Sequence, residues 1–226
     1  ALVALAKSEP KGLPKKLLPL GMETFLEMAR GARGGEGKGA YATDGPTYFP
    51  RVHALNMVTK VLNDSELATD TSGFFADGLK LAITGFGDPH WEVRNGASQL
   101  YATLIVRMIG FKNIWRFEHS RRAITSSEFF DRFQILHAFF VSELHAAATE
   151  LEKREEEEGS HGIVPATLVH PSLLPILGVL SRLECSLHNK HTASTDTLSP
   201  RRLAPHVQRC CVAQSLALRN MAADSF

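Results

Sequence analysis

The sequence has little cysteine, no excess of either charge and no long apolar run. Three cysteines, two of them adjacent (Cys210 and Cys211), cannot make a disulfide framework, so a reducing compartment and a cytoplasmic location are expected. The 25 Lys and Arg stand against 24 Asp and Glu, a formal charge of +1. That balance excludes a charged tail or a uniformly basic nucleic-acid coat and confines any basic surface to local patches. No apolar stretch approaches the roughly 18 residues of a membrane span. The best window, 100–110, is interrupted by Arg107, so no membrane insertion is expected. The opening stretch to Ala6 is too short for a secretory signal core, and its basic residues follow it instead of preceding it. With no initiator Met and a last segment of helical pattern, the sequence reads as a piece of a longer protein. What remains is 44% hydrophobic and 22% charged over 226 residues, the composition of a folded chain.

Catalytic signatures are missing too. There is no Gly-x-Ser-x-Gly and no cysteine in a thiol-protease context. The acids Glu118, Glu128 and Glu143 are not brought together by spacing. The glycine-rich stretch from Gly31 to Gly39 fails as a phosphate loop. Position 32 is Ala, position 39 is Gly, and no strand precedes it. It reads as a flexible surface loop. Cys185, His188, His191, Cys210 and Cys211 do not follow a zinc spacing and read as surface histidines and buried thiols. No cofactor and no small-molecule substrate are expected.

The punctuation is helical throughout. Pro14 opens a helix whose apolar positions are Leu18, Met22, Phe25 and Ala29, and Gly31 stands where a helix C′ residue belongs. Helices follow at about 51–63 and 71–86. Asp88-Pro89 caps and opens the next, which runs through Ile109. Thr125 with Glu128 makes a capping box. It precedes one continuous helix with the seam Phe129, Phe133, Leu136, Phe140, Leu144, Ala147 and Leu151, which frays into the acidic run Glu155–Glu158. Three more are expected at about 172–186, at 200–213, and at the C-terminal end.

Eight helices of 12 to 25 residues without strand alternation predict an all-α protein, either a bundle or a solenoid. Arg51, Arg94 and Arg219 each precede small and apolar residues, 43 and 125 residues apart. A unit of about 42 favours an α-solenoid of HEAT- or armadillo-like repeats, a fragment of a larger superhelix. The organisation expected is a helical segment of a preceding repeat at 1–30 and a Gly-rich loop at 31–49. A repeat core at 50–154, an acidic, Gly/Pro-containing linker at 155–170 and further truncated repeats at 171–226 follow.

Two sets of residues are candidates for binding. Residues 107–122 carry Arg107, Lys112, Arg116, Arg121 and Arg122 against one acid, Glu118, with Phe111, Trp115, Phe117 and His119 interleaved. Such a loop can neutralise phosphates and stack bases. Equally, its aromatics can seal it against neighbouring helices while the arginines stay hydrated. Arg51, His53, Asn56, Arg94 and Asn95 form the second set, and Arg107 is weighed with them. Arg and Asn at a helix start commonly satisfy loop carbonyls and fix repeat stacking; contact with tRNA or a protein is the alternative. Arg201, Arg202, His206 and Arg209 add a basic helix start, where the dipole disfavours cations.

The strings Pro50-Arg51-Val52-His53-Ala54-Leu55-Asn56, Ala82-Ile83-x-Gly85-Phe86, Trp91-x-Val93-Arg94-Asn95 and Arg107-x-x-Gly110 resemble the thyroid adenoma-associated protein family. Asp64 falls between the first two of these, and Ser127-Glu128-Phe129-Phe130-x-Arg132-Phe133, His170-Pro171-Ser172-Leu173 and Leu180-x-Arg182-Leu183 continue the likeness in order. The resemblance implies a non-catalytic partner of a tRNA 2′-O-ribose methyltransferase acting on nucleotide 32 of the anticodon loop. The methyl donor would be held by the partner, and tRNA itself would be a second candidate partner. Upstream, the family's Arg-Arg-Ser-Ala-Gly-Leu-Pro stretch survives only as Gly12-Leu13-Pro14. The alternative function is a solenoid scaffold for protein partners without RNA contact.

Overall fold

The structure is a computed structural model. It describes residues 1–10, 13–31, 48–110, 124–158, 170–184, 198–213 and 215–225. Most of the glycine-rich loop and of the basic loop, including Lys112, Arg116, Arg121 and Arg122, lies outside the described residues. So do Cys185, His188 and His191. Among the described residues there are ten α-helices and no strand. The chain divides into two compact units, Ala1–Met108 and Ile109–Phe226.

The first unit contains α1 (Leu2–Ser8), α2 (Leu17–Arg30), α3 (Phe49–Leu62), α4 (Phe75–Gly85) and α5 (Trp91–Met108). The opening segment, expected only as part of a helical stretch at 1–30, is a separate two-turn helix that packs on α2. Lys7 at its end pairs with Asp64 at 2.8 Å and Glu66 at 2.9 Å, tying it to the α3–α4 connection. In α2, Pro19 occupies the first turn, where its missing N–H has no intrahelical partner to lose. Gly31 ends the helix at φ +77°, and its N–H donates to the Met28 carbonyl at 3.2 Å.

Helix α3 packs between α2 and α5, and α4 packs on α5. Leu18, Met22, Leu55, Val58, Leu62, Leu79, Ile83, Val93, Leu100 and Leu104 are buried along these seams. Two glycines set how closely the helices approach. A Cβ at Gly96 of α5 would lie 3.2 Å from Leu55 Cδ1 on α3, and one at Gly85 of α4 would lie 2.7 Å from the Ala97 Cβ.

The second unit contains α6 (Ser126–Arg132), α7 (Gln134–Glu158), α8 (Leu173–Leu180), α9 (Ala204–Cys211) and α10 (Leu216–Ala223). The capping box forms as the sequence requires. Glu128 N–H donates to Thr125 Oγ1 at 3.3 Å, and Glu128 Oε2 accepts from the Thr125 N–H at 2.9 Å. These bonds from Thr125 to the carboxylate hold the Glu128 pKa below the ordinary range. The start of α6 is also pinned to residue 184 by Ser126 N–H to Glu184 O (2.9 Å) and Glu184 N–H to Ile124 O (3.0 Å).

The helix expected to run unbroken from 126 is two helices. Phe133, at φ −124° and ψ 57°, separates α6 from α7. Phe129 and Phe130, adjacent and therefore about 100° apart around a helix, are both fully buried. Phe130 meets His137 at 5.0 Å and Phe140 at 6.0 Å edge-on. The seam itself persists, with Leu136, Phe140, Leu144 and Ala147 buried along α7. The elements after it are shorter than the expected 12 to 25 residues: α8, α9 and α10 have eight each. Pro200 to Arg202 form a 3-10 turn ahead of α9, and α10 stops at Ala223 with Asp224 as its C-cap.

Candidate functional site

The motif residues of α3 and α5 divide into a polar clamp and an open groove. The clamp is centred on Asp88, just before α5. Its Oδ1 accepts from the His90 N–H at 3.0 Å, and its Oδ2 accepts from Arg51 Nη1 at 2.5 Å. Arg51 Nε donates to the Ala29 carbonyl at the end of α2 (3.2 Å), so one guanidinium joins α2, α3 and the start of α5. Arg94 Nη1 donates to the carbonyls of Asp88 (2.8 Å) and Pro89 (2.9 Å). Burial alone would raise the Asp88 pKa. The His90 N–H, then the Arg51 guanidinium, then the His90 ring outweigh it and hold the carboxyl below its ordinary range.

Asp88-Pro89 therefore caps the helix by an i to i+2 bond, and α5 begins at Trp91. Tyr48 closes the same corner. It stacks on His90 at 4.4 Å and donates to Glu92 Oε1 at 3.1 Å. Burial, then that hydrogen bond, raises the Tyr48 pKa.

Arg219 repeats the Arg94 arrangement in the second unit. Each donates to the carbonyl six residues back, Arg219 to Ala213 at 2.7 Å. The recurring arginine of the sequence thus satisfies loop carbonyls at a helix start in both cases.

The groove lies between α3 and α5 and has a volume of about 460 Å3. Asn56 and Lys60 from α3, with Asn63 at its C-cap, face Trp91, Asn95 and Gln99 from α5, over a floor that includes Gly96. Trp91 is 61% exposed. Asn63 Nδ2 donates to Thr103 Oγ1 at 3.3 Å, whereas the carboxamides of Asn56, Asn95 and Gln99 have no partner among the described residues.

Of the residues singled out from sequence, Arg51 and Arg94 meet at Asp88, while Asn56 and Asn95 meet in the groove. His53 is exposed on α3. Arg107 sits in the last turn of α5 with its Nη2 buried and without a hydrogen-bond partner among the described residues. Sequence reasoning missed Asp88 as an ion-pair centre, and it missed Trp91, Gln99 and Lys60. The spacing of Trp91, Asn95 and Gln99, four apart and so on one helix face, was the available signal.

The second unit holds two further polar clusters. Ser172 is buried; its hydroxyl donates to Glu143 Oε2 at 2.7 Å and lies 2.6 Å from His170 Nδ1. This ties the His170-Pro171-Ser172 motif to α7. His206 stands edge-on to His145 at 5.5 Å, and burial pushes its pKa down, with His145 and Arg209 acting in the same direction. Among the described residues no cluster of His, Cys, Asp and Glu is arranged to hold a metal. No helix among them is long and apolar enough to cross a membrane.

A family model described as "Trm732, C-terminal TPR repeats" matches residues 94–226, and one described as "THADA/TRM732, DUF2428" matches residues 1–92. The chain is 32% identical over 221 residues to the tRNA (32-2′-O)-methyltransferase regulator THADA of Homo sapiens, covering 97% of this chain and 10% of that protein. The protein of the same name in Canis lupus familiaris is 32% identical over 220 residues, with 97% and 10% covered. That in Gallus gallus is 30% identical over 207 residues, with 92% and 10% covered. The chain thus spans about a tenth of the length of these relatives. No solved structure matches it.

Proposed function

The chain belongs to the THADA/TRM732 family, and from that membership we propose that it is a non-catalytic scaffold segment of a regulator that partners a tRNA 2′-O-ribose methyltransferase acting on nucleotide 32. The observation that carries this is the match over 97% of the chain to proteins named as regulators of that methylation. The geometry agrees with a supporting part. The motif residues brought together are a helix clamp and a polar groove, and Ser172 is tied to Glu143 of α7. Reaction chemistry, including the methyl donor, belongs to the partner.

The nearby cations favour contact with protein over contact with RNA at α3 and α5. Arg51 Nε and Nη1 and Arg94 Nη1 are bonded to Asp88 and to backbone carbonyls, which holds both guanidinium groups at the corner. Phosphate binding needs cations free to displace counterions.

Nucleoside mass spectrometry of tRNA from cells lacking the full-length protein tests the reading. Loss of the 2′-O-methyl group at nucleotide 32 with other marks intact is expected. An unchanged mark would remove the tRNA role and leave a repeat scaffold for other proteins.

A further inference from the structure

We propose that the groove between α3 and α5 holds an extended polypeptide segment of the methyltransferase partner, with its peptide groups paired to the carboxamides of Asn56, Asn95 and Gln99 and one of its side chains laid across Trp91. The inference rests on the partnership proposed above and adds where, and by what chemistry, the partner is held.

A carboxamide presents one acceptor and one N–H2 donor side by side, which is the complement of a peptide group's own N–H and C=O. Three such groups without partners among the described residues line one groove. Their spacing suits an extended chain. Asn95 and Gln99 are four residues apart, about 6 Å along a helix axis. An extended strand presents peptide groups on the same side every two residues, about 6.8 Å. Trp91 to Gln99 covers roughly 12 Å, the length of three to four extended residues.

The floor lies where the two helices come closest, Gly96 of α5 against Leu55 of α3. Trp91, 61% exposed at one end, is the kind of large rigid surface on which interfaces concentrate their energy.

The charge balance selects the occupant. Lys60 and Glu92 are the charged lining residues, one of each sign. A polyanion would meet one cation and one repelling carboxylate, and the neighbouring Arg51 and Arg94 each place an Nη1 in the clamp. A neutral backbone is complementary to this lining. Carboxamides bind it without reading its sequence, so specificity falls to the side chain on Trp91 and to the rest of the interface.

The test uses the full-length protein reconstituted with the purified methyltransferase subunit and tRNA. Photoreactive benzoylphenylalanine replaces Lys60 at the groove rim, and crosslinks are mapped by mass spectrometry. Crosslinks to one contiguous segment of the methyltransferase are expected. Asn56→Ala with Asn95→Ala should weaken binding of that subunit about tenfold or more while tRNA affinity of the protein stays unchanged. Both positions are solvent-facing, and the near-isosteric Asn95→Asp controls for folding: it keeps the shape, removes the donors and should also weaken binding.

Crosslinks to tRNA would overturn the proposal and make the groove a nucleotide site. Crosslinks confined to the protein's own chain, or unchanged subunit affinity in the double variant, would overturn it while leaving the partnership intact. Failure of the unsubstituted full-length protein to bind the subunit at all would sink the partnership and the groove together.

Discussion

Replacing Asp88 tests whether the clamp holds α5 in place. The side chain does two jobs at once. Its Oδ1 caps His90, and its Oδ2 pairs with Arg51 at 2.5 Å, with the two side chains 7% and 26% exposed. Loss of a cap costs about 1 kcal/mol, and a hydrogen bond to a charged group is worth about 1.5–3 kcal/mol. Because Arg51 keeps some access to water, the lower part of that range applies. Asp88→Ala should therefore cost about 2–3 kcal/mol locally, and Asp88→Asn, which keeps the cap acceptor, about 1–2 kcal/mol.

Hydrogen exchange in the full-length protein reads this directly. The amide of His90, and those of Val93 and Arg94 bonded to the His90 carbonyl, should exchange faster by about 30- to 150-fold in the Ala variant. The Asn variant should lie between it and the parent. The pH dependence follows from the carboxyl held below its ordinary value. The stabilisation is full above the unfolded carboxyl pKa near 4. It is lost only as pH falls through the lower folded value. Exchange within twofold of the parent in Asp88→Ala would refute the idea that this carboxylate organises the corner.

Gly85→Ala should destabilise by about 1–3 kcal/mol through overpacking, because the new Cβ would lie 2.7 Å from that of Ala97. Gly73→Ala meets nothing within 4 Å and should be neutral or slightly stabilising; thermal aggregation onset of the two variants compares them. Thr125→Ala should raise exchange at residues 126–129 by about fivefold, the loss of roughly 1 kcal/mol of capping, and should let the Glu128 pKa return toward its ordinary value. Burial pushes the Cys210 thiol up to about 11, with neighbouring Cys211 adding to the shift. At pH 8, iodoacetamide should therefore modify half-exposed Cys211 well before Cys210, as read by peptide mass spectrometry.

Local signals in the sequence translated into structure wherever the cause was itself local. Thr125 and Glu128, three residues apart, make their box, and Gly31 takes the positive φ that its place after Arg30 suggested. The break at Phe133 was not legible, since the 3–4 spacing of the seam continues across it. It shows only in the fold, where α6 ends at Arg132 and α7 starts at Gln134. The clamp was half legible. Asp88 was readable as a cap from its neighbour Pro89, but its partner Arg51 lies 37 residues away. The groove was harder still. An aromatic on an amphipathic helix is ordinarily buried, and nothing in the chain marks Trp91 as standing in water.

The two close approaches to α5 fall on consecutive residues, Gly96 against α3 and Ala97 against α4. A cylinder held on two sides about 100° apart is keyed like a shaft and cannot turn within its housing without a collision on one side. Trp91, Asn95 and Gln99 are carried by that shaft, so their bearing toward the facing helix is set by residues that never touch a ligand. Substitutions at the rim should then change what the groove recognises. Substitutions at the keyway should rotate the whole row together, altering every contact at once without removing any of the groups that make them.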